Sequence, residues 1–165
     1  TALARFFRIS LSKGKSIITV RDELEHVRNY LMIQHMRYKN KFTYSIEAGE
    51  GVEELASLKL MLQPLVENAV IHGIADQEEG GAIYIRIREK GELLWISVAD
   101  TGAGIPGKHL RELQEASTLR GKRLGIGLGN IYRRITAYYD KGGILLDSRE
   151  GCGTVVQMEF GKRKE

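Results

Sequence analysis

Two glycine clusters constrain this chain more than any other feature. Asp100-Thr101-Gly102-Ala103-Gly104 follows a strand-like run, and Gly125-Ile126-Gly127-Leu128-Gly129-Asn130 opens a helical one. Glycine has no Cβ, so such clusters belong where the backbone turns sharply or approaches something closely. Glycines number 19 in 165 residues, roughly 12% against an average of about 7%. Hydrophobic residues make up 42% and charged residues 28%, which describes a soluble globular domain and excludes disorder. Lys and Arg total 25 against 21 acids, a net +4. That excess is too mild to mark a nucleic-acid binder. The single cysteine, Cys152, excludes a disulfide framework or a cysteine metal cluster and suits a reducing compartment. No apolar run approaches the roughly 18 residues of a spanning helix, and the opening residues lack a signal-peptide pattern.

The chain order predicts an α+β architecture. Leu3 to Leu11 reads as the tail of a helix from a longer protein, and residues 1–18 as that tail with its linker. Gly14-Lys15-Ser16 suggests a phosphate loop, but the glycine required five residues before Gly14 is Ile9. Thr19 with Asp22 forms a capping pair for a helix whose Val20, Leu24, Val27, Leu31 and Tyr38 make one buried stripe. His26 and His35 lie on that helix without ligand-spaced partners, which makes packed or surface histidines of both. Phe42–Glu47 reads as a strand. Leu58–Gly73 reads as a helix ending at a glycine cap, with Pro64 forcing either a late start or a kink. Ile83, Ile85 and Ile87 alternate with polar residues, and Ile96 and Val98 do the same, forming a hairpin across Lys90-Gly91. Asp100 to Lys122 reads as a glycine-punctuated loop, then a helix runs from about Gly127 to Tyr139. A last hairpin turns at Gly151-Cys152-Gly153, and 162–165 reads as a solvated basic tail. Strands in pairs with helices between them predict a two-layer sandwich, a mixed and mostly antiparallel sheet covered by helices on one face. The folded domain spans 19–161.

Three clusters carry candidate chemistry. In Glu67-Asn68-Ala69-Val70-Ile71-His72-Gly73, Asn68 and His72 stand four apart on one helix face. A carboxamide oxygen suits a hard cation such as Mg²⁺, although ordinary helix-end hydrogen bonding is the commoner role of such a pair. Asp100, at a strand end before two glycines, is an acceptor suited to an exocyclic amine; an Asx-turn with glycines for geometry accounts for the isolated motif equally well. The same Asp-Thr-Gly also matches the loop of retroviral-type aspartic proteases, which need two such aspartates and an almost wholly β chain. The glycines from 125 to 129 leave backbone N–H groups open at a helix N-terminus, where a phosphate is favoured. The basic residues before them, Lys108 to Arg123, form either a phosphate lid or a solvated loop.

Together these segments resemble one family. Leu62-Gln63-Pro64-Leu65-Val66-Glu67-Asn68-Ala69 through His72-Gly73, Asp100-x-Gly102-x-Gly104 and Gly125-x-Gly127-Leu128-Gly129-Asn130 are similar to the N box and glycine boxes of GHKL ATP-binding domains. The N box and the upstream Glu23-Leu24-Glu25 to Arg37 stretch resemble LytS/YesM-like sensor histidine kinases in particular. The resemblance implies a Bergerat/GHKL fold that binds ATP and Mg²⁺. Asn68 would hold the metal, His72 would face the nucleotide, and Asp100 would receive the adenine amino group, with Gly102 and Gly104 shaping the pocket. Gly125, Gly127, Leu128 and Gly129 would wrap the phosphates, and Thr154 would lie near the adenine.

The same resemblance implies partners: a phosphoacceptor histidine in an upstream dimerisation region outside this chain, and a response regulator. The whole protein would be a membrane-anchored sensor with this piece in the cytoplasm, free of nucleic acid and touching the membrane only through segments not given. Two positions depart from the family pattern. Pro64 stands where GHKL ATPases carry a water-activating glutamate, which favours transfer to a protein acceptor over ATP hydrolysis. Glu67 would assist only if it turned inward. Ile71 replaces a lysine common in these kinases, so Lys122 or Arg123 would supply the phosphate cation. A conformational clamp of the Hsp90 or MutL kind and a nucleotide-binding scaffold without kinase activity are the alternatives.

Overall fold

The computed structural model describes residues 16–39, 41–75, 77–118 and 125–164. The expected upstream helix and Lys122 lie outside them. Strand β1 (Ile17–Thr19) leads into helix α1 (Val20–Arg37), and the capping box is present: Asp22 N–H donates to Thr19 Oγ1 at 3.1 Å, and Thr19 N–H to Asp22 Oδ2 at 3.2 Å. Thr19→Ala is expected to cost about 1 kcal/mol, read from the shift in urea midpoint. Leu24, Val27 and Leu31 are fully buried along one face of α1. His26 and His35 are packed as expected. His26 Nδ1 lies 3.0 Å from Gln63 Oε1 and His35 Nε2 lies 2.7 Å from the Phe42 carbonyl oxygen.

Strand β2 (Phe42–Ala48) is followed by β3 (Leu55–Leu58), helix α2 (Gln63–Asn68) and a wide, π-type turn over Ala69–Ile74. This corrects the single helix expected over 58–73. The apolar run before Gln63 is a strand buried at all four positions, and short apolar runs do not distinguish strand from helix. Leu60 takes the left-handed conformation, φ +60°, and reverses the chain. The helix starts late, with Pro64 in its first turn, where a missing N–H costs nothing. Gly73 is not a helix cap. The turn runs past it to Ile74, and Ala75 N–H donates to the Val70 carbonyl at 2.8 Å.

Strands β4 (Gly81–Lys90) and β5 (Leu93–Asp100) form the predicted hairpin. Helix α3 (Gly107–Thr118) lies where a loop was expected; Leu110 and Leu113, one turn apart, hold it on the core. Helix α4 (Gly125–Tyr138), then strands β6 (Gly142–Arg149) and β7 (Gly153–Gly161), follow. The basic end of the chain takes part in strand pairing. Arg163–Lys164, strand β8, pairs with Ala56 and Leu55 of β3, and Lys162 Nζ sits 3.1 Å from Glu89 Oε2. β1 also pairs with β3, so strand pairing begins at Ile17 and extends to Lys164.

The main sheet runs β2-β4-β5-β7-β6, parallel between β2 and β4 and antiparallel elsewhere. Period-two alternation puts Ile83, Ile85, Ile87, Leu94, Ile96, Val98, Met158 and Phe160 on one face. The helices cover that face. The opposite face carries Tyr84, Arg86, Arg88 and Trp95, with Lys90 Nζ 4.2 Å above the indole ring. The predicted two-layer α+β sandwich is the observed architecture.

Candidate functional site

Asp100 ends β5, opposite Thr154 of β7 in the ladder, so sheet register alone sets these two residues side by side. The Asp100 carboxylate is 8% exposed. Burial pushes its pKa above the usual aspartate range, opposed by the N–H groups of Gly102 and Thr154. Gly102 N–H donates to Oδ1 at 2.9 Å.

The end of the π-type turn rests on this carboxylate. A Cβ at Gly73 would stand 2.7 Å from Asp100 Cγ, which explains the glycine. A Cβ at Gly102 would fall 2.0 Å from the Gly73 carbonyl oxygen, and Ala103 N–H donates to that same oxygen at 3.0 Å. On its other side the loop meets the last hairpin: Gly151 N–H donates to the Ala103 carbonyl at 2.7 Å. Gly104 has φ +66°, and a Cβ there would meet the Arg149 carbonyl oxygen at 2.1 Å.

These contacts enclose a cavity of about 580 Å³, within the range of small-molecule sites. Asn68, Ala69 and His72 form one wall and Gly127 with Leu128 another. Val98, Thr154 and Val156 make the floor, and Ile105, Pro106 and His109 close the remaining side. Among the described residues no group hydrogen-bonds the Asn68 carboxamide, which is left facing the cavity.

The structure thus brings Asn68, His72, Asp100, Gly104, Gly127, Leu128 and Thr154 to one cavity. Glu67 is not among its lining residues. Gln63 Nε2 donates to Glu67 Oε1 at 2.8 Å, so the carboxylate is engaged away from the cavity. Gly102 shapes the pocket from behind. Gly125 opens α4, and Gly129, on the same helix, is not among the lining residues.

Sequence reasoning missed Ser148. Its hydroxyl accepts from Ile105 N–H at 2.9 Å and lies 2.8 Å from the Gly153 carbonyl oxygen and 2.9 Å from Thr154 Oγ1. It ties the glycine loop to the hairpin that supplies Thr154. No local pattern marks Ser148, because its partners are as many as 43 positions away. His109 and Leu113 line the cavity from α3, a segment that the sequence pattern presents as a loop; Leu110 and Leu113 after Pro106 are the available signal.

The family model for histidine kinase-, DNA gyrase B- and HSP90-like ATPases matches residues 53–164. The chain belongs to that ATPase family. A histidine kinase model matches residues 1–42 as well. The sensor histidine kinase YpdA of Escherichia coli is 33% identical over 85% of this chain, and YesM of Bacillus subtilis is 30% identical over 99%. The chain spans only 24% and 27% of their lengths, about a quarter of these relatives. In fold it is similar to the histidine kinase domain of the Erythrobacter litoralis blue-light activated kinase. There the TM-score is 0.61 at 17% identity, covering 96% of this chain and 78% of that one.

The resemblance of its motifs to GHKL ATP-binding domains is borne out, and the relatives it matches are sensor histidine kinases. The aspartic protease alternative is excluded with that assignment. Among the described residues no three His, Cys, Asp or Glu side chains converge on a metal position. The unengaged Asn68 carboxamide fits Mg²⁺, which keeps most of its waters and takes substrate phosphates. Among the described residues no helix is long and apolar enough to cross a membrane.

Proposed function

We propose that the cavity binds Mg·ATP and presents its γ-phosphoryl group to a histidine in a region preceding this chain. The observation that carries the reading is the shared cavity. An amine-accepting carboxylate, an unengaged carboxamide and the opening turns of a glycine-rich helix all border one space. The adenine amino group would donate to Asp100, with the ring on Val98 and Val156. The phosphates would lie between Asn68 and the N-terminal turns of α4, where unpaired N–H groups and the helix dipole favour anions. Mg²⁺ held by Asn68 would neutralise charge across the phosphate oxygens. Lys122 and Arg123, outside the described residues, remain the proposed phosphate cations.

In the transfer itself a neutral imidazole nitrogen attacks phosphorus and the bond to the β,γ-bridging oxygen breaks. ADP leaves, and the imidazole N–H proton passes to solvent. The phosphoramidate would then serve a response regulator. The protein would be a membrane-anchored sensor whose catalytic part is cytoplasmic. Pro64 favours transfer over hydrolysis. It occupies the first turn of α2 beside Gly127, 3.9 Å from where a Cβ at that glycine would stand, and has no basic group to activate water.

A chain extended upstream to include the acceptor histidine should incorporate label from [γ-³²P]ATP as acid-labile, alkali-stable phosphate. Steady phosphate release by the 165-residue chain, with no labelling of the longer one, would favour the clamp. Saturating Mg·ATP should also stabilise the chain by about 2.7 kcal/mol at a hundred times Kd. Asn68→Ala should remove the dependence of that gain on Mg²⁺, measured as melting temperature with and without the metal.

A further inference from the structure

Helix α1 does not line the cavity, yet its buried polar groups hold the helix that does. Glu23 is 3% exposed. Its carboxylate accepts the N–H groups of Leu60, Met61 (3.0 Å) and Leu62 (2.9 Å), the turn that leads directly into α2. From the opposite side of that turn Arg134, on α4, donates to the carbonyl oxygens of Lys59 at 2.6 Å and Leu60 at 3.4 Å. The left-handed Leu60 sits in the middle, a conformation that surrounding contacts must sustain in a branched residue. A second tie runs from His26 to Gln63 and from Gln63 to Glu67, the neighbour of Asn68.

The chemistry of Glu23 is expensive for a purely architectural role. Burial pushes its pKa up to about 7, against the pull of three N–H donors and the Arg134 guanidinium. Apolar packing often fills such positions with no loss of stability. What a carboxylate adds is direction. It fixes three backbone groups at once, and Arg134 fixes the carbonyls of the same turn from α4. Arg134 lies two helical turns beyond Gly127, and a surface groove containing Leu60, Pro64 and Arg134 reaches the cavity at Gly127.

We propose that Glu23 and Arg134 are positioning residues for the phosphate half of the site. They grip one turn from two helices and so set the separation between Asn68 and the opening of α4. The inference rests on the nucleotide reading above. The adenine half, Asp100 and Thr154, stands on β5 and β7 and does not depend on this junction.

That division supplies the test. Affinities for Mg·ATP and for adenosine, which lacks phosphates, are measured by ligand-observed NMR on the 165-residue chain and on Glu23→Gln. The amide keeps the shape but turns an NH₂ toward backbone N–H donors. Mg·ATP binding should weaken about tenfold, as when supports of a ligand-holding residue are removed, with adenosine unchanged within about twofold. Glu23→Asp should give a smaller loss. Arg134→Gln, at a half-buried position, should show the same split and decides the matter if Glu23→Gln does not fold. Equal losses for both ligands, or no loss for either, would overturn the positioning role. Failure of the unaltered chain to bind either ligand would instead overturn the nucleotide reading beneath it.

Discussion

Asp100→Asn should lower Mg·ATP affinity at least about thirtyfold while the ligand-free protein keeps its melting temperature within a few degrees. The Asn Oδ1 can still accept Gly102 N–H, so the loop stays tied. What disappears is an ionised acceptor for the adenine amine, replaced on one branch by an NH₂ that meets it donor to donor. Hydrogen bonds to charged groups are worth about 1.5–3 kcal/mol, and an unpaired buried donor adds to the loss. The pH dependence has a definite sign. Burial raises the folded pKa of Asp100, so folding favours its protonated form. That contribution to stability is complete below the ordinary aspartate range and is lost as pH rises through the raised value. Nucleotide affinity runs the other way, falling with acidification as the carboxylate takes a proton, at a higher pH than a surface aspartate would show. Calorimetric titration across the acid range should find this fall in the wild type and not in Asp100→Asn.

Gly102→Ala should damage both the fold and the site. The new Cβ would fall 2.0 Å from the Gly73 carbonyl oxygen and 2.5 Å from Gly73 Cα, and backbone cannot step aside as a flexible side chain can. Overpacking of this kind costs about 3 kcal/mol. Here it also separates Asp100 from the helix end that carries His72, so nucleotide binding should vanish with the stability. Gly107→Ala is the control. Nothing lies within 4 Å of a Cβ there, so both urea midpoint and ATP affinity should hold.

How much could be read in advance follows from where the information lies. Alternating isoleucines at 83, 85 and 87 and the Thr19–Asp22 capping pair are local patterns, and both appear where expected. The three nucleotide boxes were legible because each needs particular residue types at short spacing. Their convergence was not, since it depends on the register that puts Thr154 opposite Asp100 and on Gly73 resting against that carboxylate. Leu55–Leu58 is a short apolar strand joined through the left-handed Leu60 to a helix, and nothing in composition separates that from one longer helix. Helix α3 is masked in the sequence by its charge, although Leu110 and Leu113 pack it on the core and Gln114 Nε2 donates to the Leu146 carbonyl. The orientation of Glu67 depends on Gln63, four residues earlier, whose Nε2 donates to it. Ser148 and Glu23 act across distances in sequence that no motif spans.

The claim beneath everything else is that one nucleotide touches all three patches at once. Backbone amide shifts followed through a Mg·ATP titration test it most directly. The account predicts saturable changes concentrated at residues 68–73, 100–105, 127–128 and 154, all with the same apparent Kd. Changes confined to one of these segments, different Kd values among them, or a maximum on the open face around Trp95 would contradict it.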